Sequence, residues 1–366
     1  MFNENYIQKL AMQLDHSNID GVIIGPSKDL EYITGFLSHE DERFQGFFLT
    51  REGKYFCISP KINSEEIENI MPIGTKIYPW DDGDGFVDTV LTALSDYNLS
   101  DKLIAVNSGI KGCDLLDLMD PFQGKIINGV SFIENSRAVK TIEEINNLKK
   151  AGKLADEVME ELVHFIKPGM MERDVKDKIK ESFSQKDCEG ISFEPIVAVG
   201  SNSSKPHYNQ DDGVIQEKDV VLLDFGCRCG GVCSDISRTF FVGEPTEEEK
   251  EVYELILKAN RAGVNAVKEG VTAEYIDQQA RTVITDAGYG PYFLNRLGHG
   301  IGFSVHEAPY IKRGNKQIIK KGMAFSVEPG ISLPNKFGMR IEDIVVADDS
   351  GPMLMNNFER GMIIIK

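Results

Sequence analysis

Five side chains in the C-terminal half of the sequence have the types and settings of metal ligands. Each lies in a short, strand-like stretch punctuated by glycine, and together they are Asp224, Asp235, His299, Glu328 and Glu342. A carboxylate within an apolar strand is costly to bury unless something neutralises its charge. Four such carboxylates that converge require a large local positive charge, which a pair of divalent metal ions supplies. These residues predict a metal-dependent hydrolase.

The dipeptide Gly230-Gly231 predicts how the first two acids are arranged. It favours a two-residue hairpin turn, and counting back from that turn places Gly226 opposite Asp235. Asp224 lies two residues from Gly226 and therefore on the same face of the hairpin. The two carboxylates would then be diagonal neighbours, and both would reach metal ions that lie about 3.5–4 Å apart.

The other three residues complete a ligand set rich in oxygen. Glu328 and Glu342 flank a second hairpin-like stretch at residues 329–338, and His299 lies between two glycines, where backbone can approach a ligand closely. One imidazole with four carboxylates favours Mn²⁺ or Co²⁺ over a structural zinc site, which prefers thiolates. We therefore expect two divalent metal ions, with Mn²⁺ preferred and Co²⁺ or Zn²⁺ as alternatives.

Two other patterns are weaker candidates for metal sites. The three cysteines within residues 227–233 do not have the spacing of a zinc-binding pair, and they are interpreted as small strand residues. The stretch from His306 begins like the His-Glu-x-x-His motif of zinc proteases, but Tyr310 replaces the second histidine. Pro309 would also break the helix that this motif requires.

The elements that must position these residues fall into two regions. Residues 1–135 alternate helical and strand-like segments, which predicts an α/β domain. A capping box from Thr141 to Glu144 predicts the start of a helix, and Pro168-Gly169 predicts its end. We place the domain boundary near residues 133–139. The second region, 136–366, reads as helices at 173–184, 247–268 and 273–286 around a strand at 193–199, a hairpin at 219–241 and two further strand pairs.

Composition excludes several classes of partner. The 366 residues include 40 Lys and Arg against 58 Asp and Glu, for a net charge of −18. Such a chain would be repelled by nucleic acid, because binding requires basic side chains that replace counterions. We find no secretion signal and no stretch near the roughly 18 apolar residues of a membrane helix. We expect a cytoplasmic protein with no nucleic-acid or membrane partner and with six reduced cysteines.

As a set, the five metal-like residues in their motifs resemble the signature of the M24 metallopeptidases, the pita-bread family. That family includes Xaa-Pro aminopeptidase, Xaa-Pro dipeptidase (prolidase), methionine aminopeptidase and the metal-free creatinase. The resemblance covers residues 140–350, and Asp-Leu-Glu-Tyr-Ile-Thr-Gly-Phe at 29–36 resembles the prolidase and creatinase N-terminal domain more weakly. It implies a creatinase-like α/β domain over 1–135, an α+β pita-bread catalytic domain over 136–366, a peptide substrate and a homodimer.

The resemblance also implies a role for each ligand. Asp224 would bind one metal ion only, Asp235 and Glu342 would bridge both ions, and His299 and Glu328 would bind the second ion. A water molecule between the ions would be the nucleophile. Glu328 would additionally act as general base and acid for that water.

Three further residues match the family's pattern. His306, seven residues after His299, resembles the histidine that contacts the substrate carbonyl and stabilises the tetrahedral intermediate. His207 resembles an outer histidine near the scissile bond. Arg340 resembles the arginine that holds the metal-bound carboxylates in place.

The choice within the family depends on substrate length. The five ligands disfavour creatinase-like chemistry, and the N-terminal domain disfavours methionine aminopeptidase. A dipeptidase needs a cation near the substrate's C-terminal carboxylate, and some prolidases place an arginine four residues after the second histidine. Tyr310 occupies that position here, with Lys312 and Arg313 close behind. Asn295 stands where some aminopeptidase P enzymes have a histidine.

Our main prediction from the sequence is therefore a metal-dependent Xaa-Pro aminopeptidase, with catalytic His207, His306 and Glu328 and with Arg340 and Tyr310 near the substrate or the ligands. The alternative is an Xaa-Pro dipeptidase. Two remoter alternatives are a creatinase-like C–N hydrolase acting on a small guanidino compound and a peptide-binding module without activity.

Overall fold

A computed structural model of the protein describes residues 2–36 and 41–365. The chain forms two compact units, Met1–Arg137 and Ala138–Lys366. The first unit is an α/β fold and the second an α+β fold, which confirms the predicted fold class. In the described ranges, no helix combines the length and apolar character that crossing a membrane demands.

The first unit is a six-stranded sheet covered by helices on both faces. The strands are β1 (Gly21–Ile24), β2 (Gly46–Thr50), β3 (Tyr55–Pro60), β4 (Lys76–Trp80), β5 (Leu103–Val106) and β6 (Lys125–Asn128). The helices are α1 (Glu4–His16), α2 (Lys28–Thr34), α3 (Ser64–Ile70), α4 (Val87–Asp96), α5 (Gly112–Met119) and α6 (Val130–Ser136). The strand order is β4-β3-β2-β1-β5-β6.

Alternation along β1 explains why both faces of this sheet are covered. Val22 and Ile24 pack into the apolar cluster under α1, α2 and α6, whereas Ile23 packs into the cluster under α4 and α5. Successive strand residues point to opposite faces, so a strand that is apolar at every position requires helices on both sides.

The second unit contains four long helices and thirteen strands among its described residues. The helices are α7 (Ile142–Phe165), α8 (Glu172–Ser184), α9 (Glu247–Asn265) and α10 (Ala273–Asp286). The first strands are β7 (Ile196–Val199), β8 (Val220–Phe225), β9 (Arg228–Cys229), β10 (Val232–Cys233), β11 (Ile236–Val242), β12 (Gly298–Gly300) and β13 (Glu307–Ile311). The remaining strands are β14 (Ala324–Val327), β15 (Gly330–Leu333), β16 (Phe337–Arg340), β17 (Asp343–Asp348), β18 (Gly351–Leu354) and β19 (Ile363–Ile365).

These strands form two larger sheets and two hairpins. The first sheet has the order β19-β11-β8-β7 and the second has the order β13-β12-β14-β17-β18, while β9/β10 and β15/β16 pair separately. Helices α7 and α8 pack on the first sheet, and α9 and α10 pack in a cluster that takes residues from both sheets.

The predicted capping box starts α7. The backbone N–H of Glu144 donates to the Thr141 hydroxyl at 3.2 Å, and the Thr141 N–H donates to the Glu144 carboxylate at 2.7 Å. These two bonds satisfy donors that the first helical turn leaves without partners. The helix ends at Phe165, ahead of the predicted breaker at 168–169.

Candidate metal centre

The register of one hairpin brings the first two acids together. Cys229 pairs with Val232 across the turn, and further along the same arms Asp224 pairs with Ser237. Neither strand has an extra residue between these two pairs, so Asp235 lies opposite Gly226, as predicted. Gly230 and Gly231 have φ of 57° and 79°, which suits the favoured two-residue turn and is costly for other residues.

The other three residues lie at the ends of short strands. His299 is the middle residue of β12, Glu328 directly follows β14, and Glu342 directly precedes β17. The predicted hairpin between the two glutamates is formed by β15 and β16. β12 approaches β14 so closely that a Cβ on Gly298 would lie 1.9 Å from a backbone oxygen. Glycine at this position is therefore required for the placement of His299.

The structure brings all five residues into one site. Donor atoms of Asp235, His299 and Glu342 lie within 4.8 Å of one another. His299 Nε2 lies 3.3 Å from Glu328 Oε1 and 3.8 Å from Asp235 Oδ2. All five side chains line one cavity of about 720 Å³. The convergence predicted from the sequence is thus present in the fold.

Arg340 links two of the five residues, one directly and one through a serine. Its Nη2 donates to Asp224 Oδ2, and its Nε donates to the Ser237 hydroxyl at 2.8 Å. That hydroxyl donates in turn to Glu342 Oε2 at 2.6 Å. One arginine cannot neutralise four carboxylates, so substantial negative charge is left over at the site.

The remaining donors fit divalent cations. One oxygen each of Asp224, Asp235 and Glu342 is buried and accepts no hydrogen bond from any described residue. Such buried acceptors are rare in folded proteins, and cations are the partners that carboxylate oxygens otherwise lack. The set is rich in oxygen, as hard divalent ions prefer.

The pKa values show the same excess of negative charge. Burial raises the pKa of Asp235 and of Glu342, and the neighbouring carboxylates add to the rise. Burial raises the pKa of Glu328 to about 7 although Arg340 acts against it. Burial lowers the pKa of His299 to about 4, so its imidazole is neutral near pH 7. Neutral imidazole is the form that binds metals.

A second buried arginine supports the site from outside. Arg238 is 1% exposed, and its ion pair is with Asp343, which is not in the site. Its guanidinium donates at 2.6–2.9 Å to the carbonyl oxygens of Ser237, Glu342, Phe358 and Glu359 and to Asp343 Oδ1. It therefore fixes the backbone that presents Glu342.

Two histidines face the same cavity. His306 packs edge-on against His299, with ring centroids 4.1 Å apart, and burial lowers its pKa to about 4. Protonation of His299 and the positive charge of Arg296 both act in the same direction on this pKa. His207 is exposed but also lines the cavity. Both predicted histidines thus lie where they can reach a substrate held next to the acids.

A cation that the sequence analysis did not single out lines the cavity. Tyr310, Lys312 and Arg313 are absent from the described lining of the cavity, whereas Arg296 and Asn295 belong to it. The Arg296 guanidinium lies 4.9 Å from the centre of the Tyr310 ring. Arg296 forms no salt bridge within the described ranges, and its charge acts on the cavity, where it opposes the rise in the pKa of Glu328.

Sequence reasoning missed Arg296 although a signal was present. It lies three residues before His299, beside the Asn295 that was considered, and no acid lies within three residues of it. An arginine without a local acidic partner next to a predicted ligand is a candidate anion-binding residue.

Comparison with family models decides the class. The model described as "Metallopeptidase family M24" matches residues 146–349, and the "Creatinase/Prolidase N-terminal domain" matches residues 7–139. The chain belongs to metallopeptidase family M24. It is a peptidase hydrolase with the creatinase-like and pita-bread domains expected from the sequence, and the family implies divalent metal ions.

Several relatives match over nearly the whole chain. The "Probable dipeptidase PepE" of Mycobacterium tuberculosis is 33% identical over 99% of this chain and 97% of its own. The "Xaa-Pro dipeptidase" of Lactobacillus helveticus is 35% identical and covers 98% of each chain. Among solved structures, a prolidase from Thermococcus sibiricus is 33% identical with a TM-score of 0.90, over 100% of this chain and 99% of its own. An X-Pro aminopeptidase from Thermotoga maritima is 28% identical with a TM-score of 0.83, over 100% of both chains.

These names favour the alternative from the sequence, a dipeptidase, over the main prediction of an aminopeptidase. The roles of the individual residues, the preference for Mn²⁺, the homodimer and the cytoplasmic location stay predictions.

Proposed function

We propose that the protein is a metal-dependent Xaa-Pro dipeptidase, a prolidase. The observation that carries this proposal is Arg296, a cation that faces the same cavity as the five metal-like residues. A dipeptide presents its C-terminal carboxylate inside the site, and a forked guanidinium is well suited to bind it. The dipeptidase names of relatives with 33–35% identity support the same choice.

The proposed cofactor is a pair of divalent ions, preferably Mn²⁺, with Co²⁺ or Zn²⁺ as alternatives. Asp224, Asp235, His299, Glu328 and Glu342 would hold these ions. When bound, such ions supply a Lewis acid and lower the pKa of water toward neutrality. Arg340 keeps the Asp224 and Glu342 carboxylates oriented through its bonds to Asp224 and Ser237.

Glu328 suits the transfer of a proton during hydrolysis. Its carboxyl group lines the cavity with the other four metal-like residues, 3.3 Å from His299 Nε2, so it would lie next to a water molecule held there. It takes a proton from the attacking water and delivers it to the proline nitrogen as the peptide bond breaks. The Ser326 hydroxyl, 3.0 Å from Glu328 Oε1, holds that carboxyl group in place.

The two histidines are assigned to the substrate. His306 is neutral near pH 7, so one ring nitrogen carries a hydrogen that it donates to the scissile carbonyl oxygen as negative charge develops there. His207 contacts the peptide on the solvent side of the scissile bond. Tyr310 is assigned an indirect role, because its ring supports the Arg296 guanidinium.

The cavity also suits the proline ring. The X–Pro amide has no N–H for a protease to bind and carries a ring on its nitrogen. Phe193, Ile196 and Val305 give the cavity an apolar wall. Its volume of about 720 Å³ is within the range of small-molecule sites. The protein would thus recognise the proline ring and the C-terminal carboxylate of the substrate, and would not need a backbone N–H at the scissile bond.

A hydrolysis assay tests the proposal. We expect cleavage of Xaa-Pro dipeptides that is abolished by a chelator and restored by Mn²⁺, with slower cleavage of Xaa-Pro-Xaa tripeptides. Faster cleavage of the tripeptides would establish the aminopeptidase alternative, which the similarity to the Thermotoga maritima enzyme also supports. No metal-dependent cleavage of either substrate would refute both.

A further inference from the structure

The loop that carries His207 buries few of its own side chains. Within residues 200–213, only Ser203 and Tyr208 are buried, and most of the others are exposed. A segment with little apolar burial needs polar contacts to keep a single conformation. In this loop those contacts converge on one carboxylate, that of Glu172.

Glu172 is the first residue of α8 and is fully buried. Its Oε1 accepts from Val199 N at 2.9 Å and Asn202 Nδ2 at 3.1 Å, and its Oε2 accepts from Tyr208 Oη and Gly213 N, both at 2.8 Å. Four donors fill the carboxylate's capacity, and no Lys or Arg in the described ranges forms an ion pair with it. Hydrogen-bond donors at the two ends and in the middle of the loop therefore stabilise the negative charge of Glu172.

Gly213 shows how closely the loop is fitted to this carboxylate. A Cβ at Gly213 would lie 2.6–2.7 Å from the carboxyl group of Glu172, which is closer than atoms pack. The two residues also share a backbone bond of 2.8 Å from the Glu172 N–H to the Gly213 carbonyl. The end of the loop is therefore held against the start of α8 by backbone and side chain together.

Tyr208 connects the carboxylate to His207, its neighbour in the chain. Its hydroxyl donates to Glu172 at 2.8 Å and accepts from Asn202 Nδ2 at 3.0 Å. Burial, followed by the bond to Glu172, raises the pKa of this hydroxyl, so it stays a donor at neutral pH. A fixed Tyr208 ring fixes the direction in which the backbone presents His207.

The base of the loop is also joined to the strand that ends in Arg340. The Gly338 N–H donates to the Ser203 hydroxyl at 2.8 Å, and a Cβ at Gly338 would lie 2.1 Å from the Ser203 carbonyl oxygen. Both residues belong to segments that lie beside the acids. The loop is thus positioned relative to the metal-like site and not only relative to α8.

We propose that Glu172 and Tyr208 are positioning residues that set where His207 meets the substrate. Neither is among the residues that line the cavity, so each acts through the loop. The inference rests on the proposed function, because it takes His207 as a residue that contacts the peptide.

A double-mutant cycle tests the link between Tyr208 and His207. We expect Tyr208→Phe to lower kcat/KM for an Xaa-Pro dipeptide about 10- to 100-fold, because small misplacements of a group near the reacting atoms have effects of this size. In a His207→Ala background the same change should produce no further loss. The matched control is Tyr253→Phe, which removes another buried tyrosine hydroxyl, bonded to the carbonyls of Arg360 and Gly361. It should leave kcat/KM unchanged.

Hydrogen exchange gives a readout that does not depend on activity. Glu172→Gln replaces one carboxylate oxygen by an NH₂ group, which cannot accept the hydrogen bonds that the loop donates. The backbone N–H groups of residues 199–213 should therefore exchange faster than in the wild type. Exchange elsewhere in the second unit should be unchanged.

Two results would overturn the inference. One is a Tyr208→Phe loss that persists in full when His207 is already alanine. The other is unchanged exchange of residues 199–213 in Glu172→Gln. If the wild type cleaves no Xaa-Pro peptide, the proposed function fails and the catalytic half of this inference fails with it, whereas the exchange experiment still decides whether Glu172 orders the loop.

Discussion

Replacing Arg296 by methionine should remove much of the preference for substrates with a free C-terminal carboxylate. Arg296 is half-buried, lies over the Tyr310 ring and forms no ion pair in the described ranges, so its charge is available to a ligand. Methionine keeps an unbranched chain of similar length but has neither charge nor donors. The substitution therefore removes the interaction with little change in packing.

The magnitude follows from the type of contact. A hydrogen bond between a guanidinium and a carboxylate contributes roughly 1.5–3 kcal/mol, which corresponds to a change of about 10- to 150-fold in kcat/KM. Solvent reaches Arg296, so the effect should lie toward the lower end of this range. Arg296→Lys should retain part of the activity, because lysine keeps the charge but not the fork of donors.

The assay compares an Xaa-Pro dipeptide with its C-terminal amide, which carries no negative charge. Wild-type protein should prefer the dipeptide, and Arg296→Met should lose this preference through a drop in kcat/KM for the dipeptide alone. Arg313→Met is the matched control, because Arg313 is exposed and lines a different surface depression. Its ratio of dipeptide to amide cleavage should equal that of the wild type.

An equal loss for both substrates would refute the reasoning, since it would show that Arg296 supports the site and does not bind the carboxylate. An unchanged rate for the dipeptide would refute it as well. Metal content, measured for each variant, separates these outcomes from a loss of cofactor.

Three further predictions concern stability. Lys140→Met removes the cation that pairs with the buried Glu307 and should lower the free energy of unfolding by about 3–5 kcal/mol. The double variant that also carries Glu307→Gln should recover stability, and urea denaturation measures both effects. Thr141→Ala should cost about 1 kcal/mol in the same experiment because it removes a helix cap. In metal-free protein the folded-state pKa of Glu328 is raised to about 7, so its protonated form stabilises the fold below pH 4.5 and that contribution, on the order of 3 kcal/mol, is lost as the pH rises through 7. The lowered pKa values of His299 and His306 act in the opposite direction, so thermal melts with chelator should compare the wild type with Glu328→Gln. From pH 5 to pH 7.5 the Tm of the wild type should change less favourably than that of the variant, and an equal change in both would contradict the assignment.

Local patterns explain why much of the site was predictable. The register that pairs Asp224 with Ser237 follows from a two-residue turn and the period of two along a strand, and both can be counted in the sequence. The start of α7 follows from the reciprocal bonds of Thr141 and Glu144, which are three residues apart. In both cases the residues that determine the structure are close in the chain.

Arg296 and Glu172 show where such reasoning stops. Glu172 is an acid in the first turn of a helix and looks like an ordinary exposed N-terminal acid. Its burial depends on four donors between residues 199 and 213, which only the tertiary fold brings to it. The spacing of Arg296 from His299 marks it as a candidate, but its place in the lining of the cavity depends on the tertiary fold.

The bonds of Arg238 have a consequence for the biogenesis of the enzyme. Synthesis from the N-terminus delivers Asp224 and Asp235 first, Glu342 much later, and the carbonyl groups of residues 358 and 359 later still. Those carbonyl groups accept hydrogen bonds from Arg238. β11, the strand that follows Asp235, pairs with β19. A nascent chain on the ribosome therefore holds acids from one hairpin long before the backbone that aligns them exists. The complete set of metal-like residues, in its folded arrangement, therefore forms only after the segment with residues 358–365 has been synthesised.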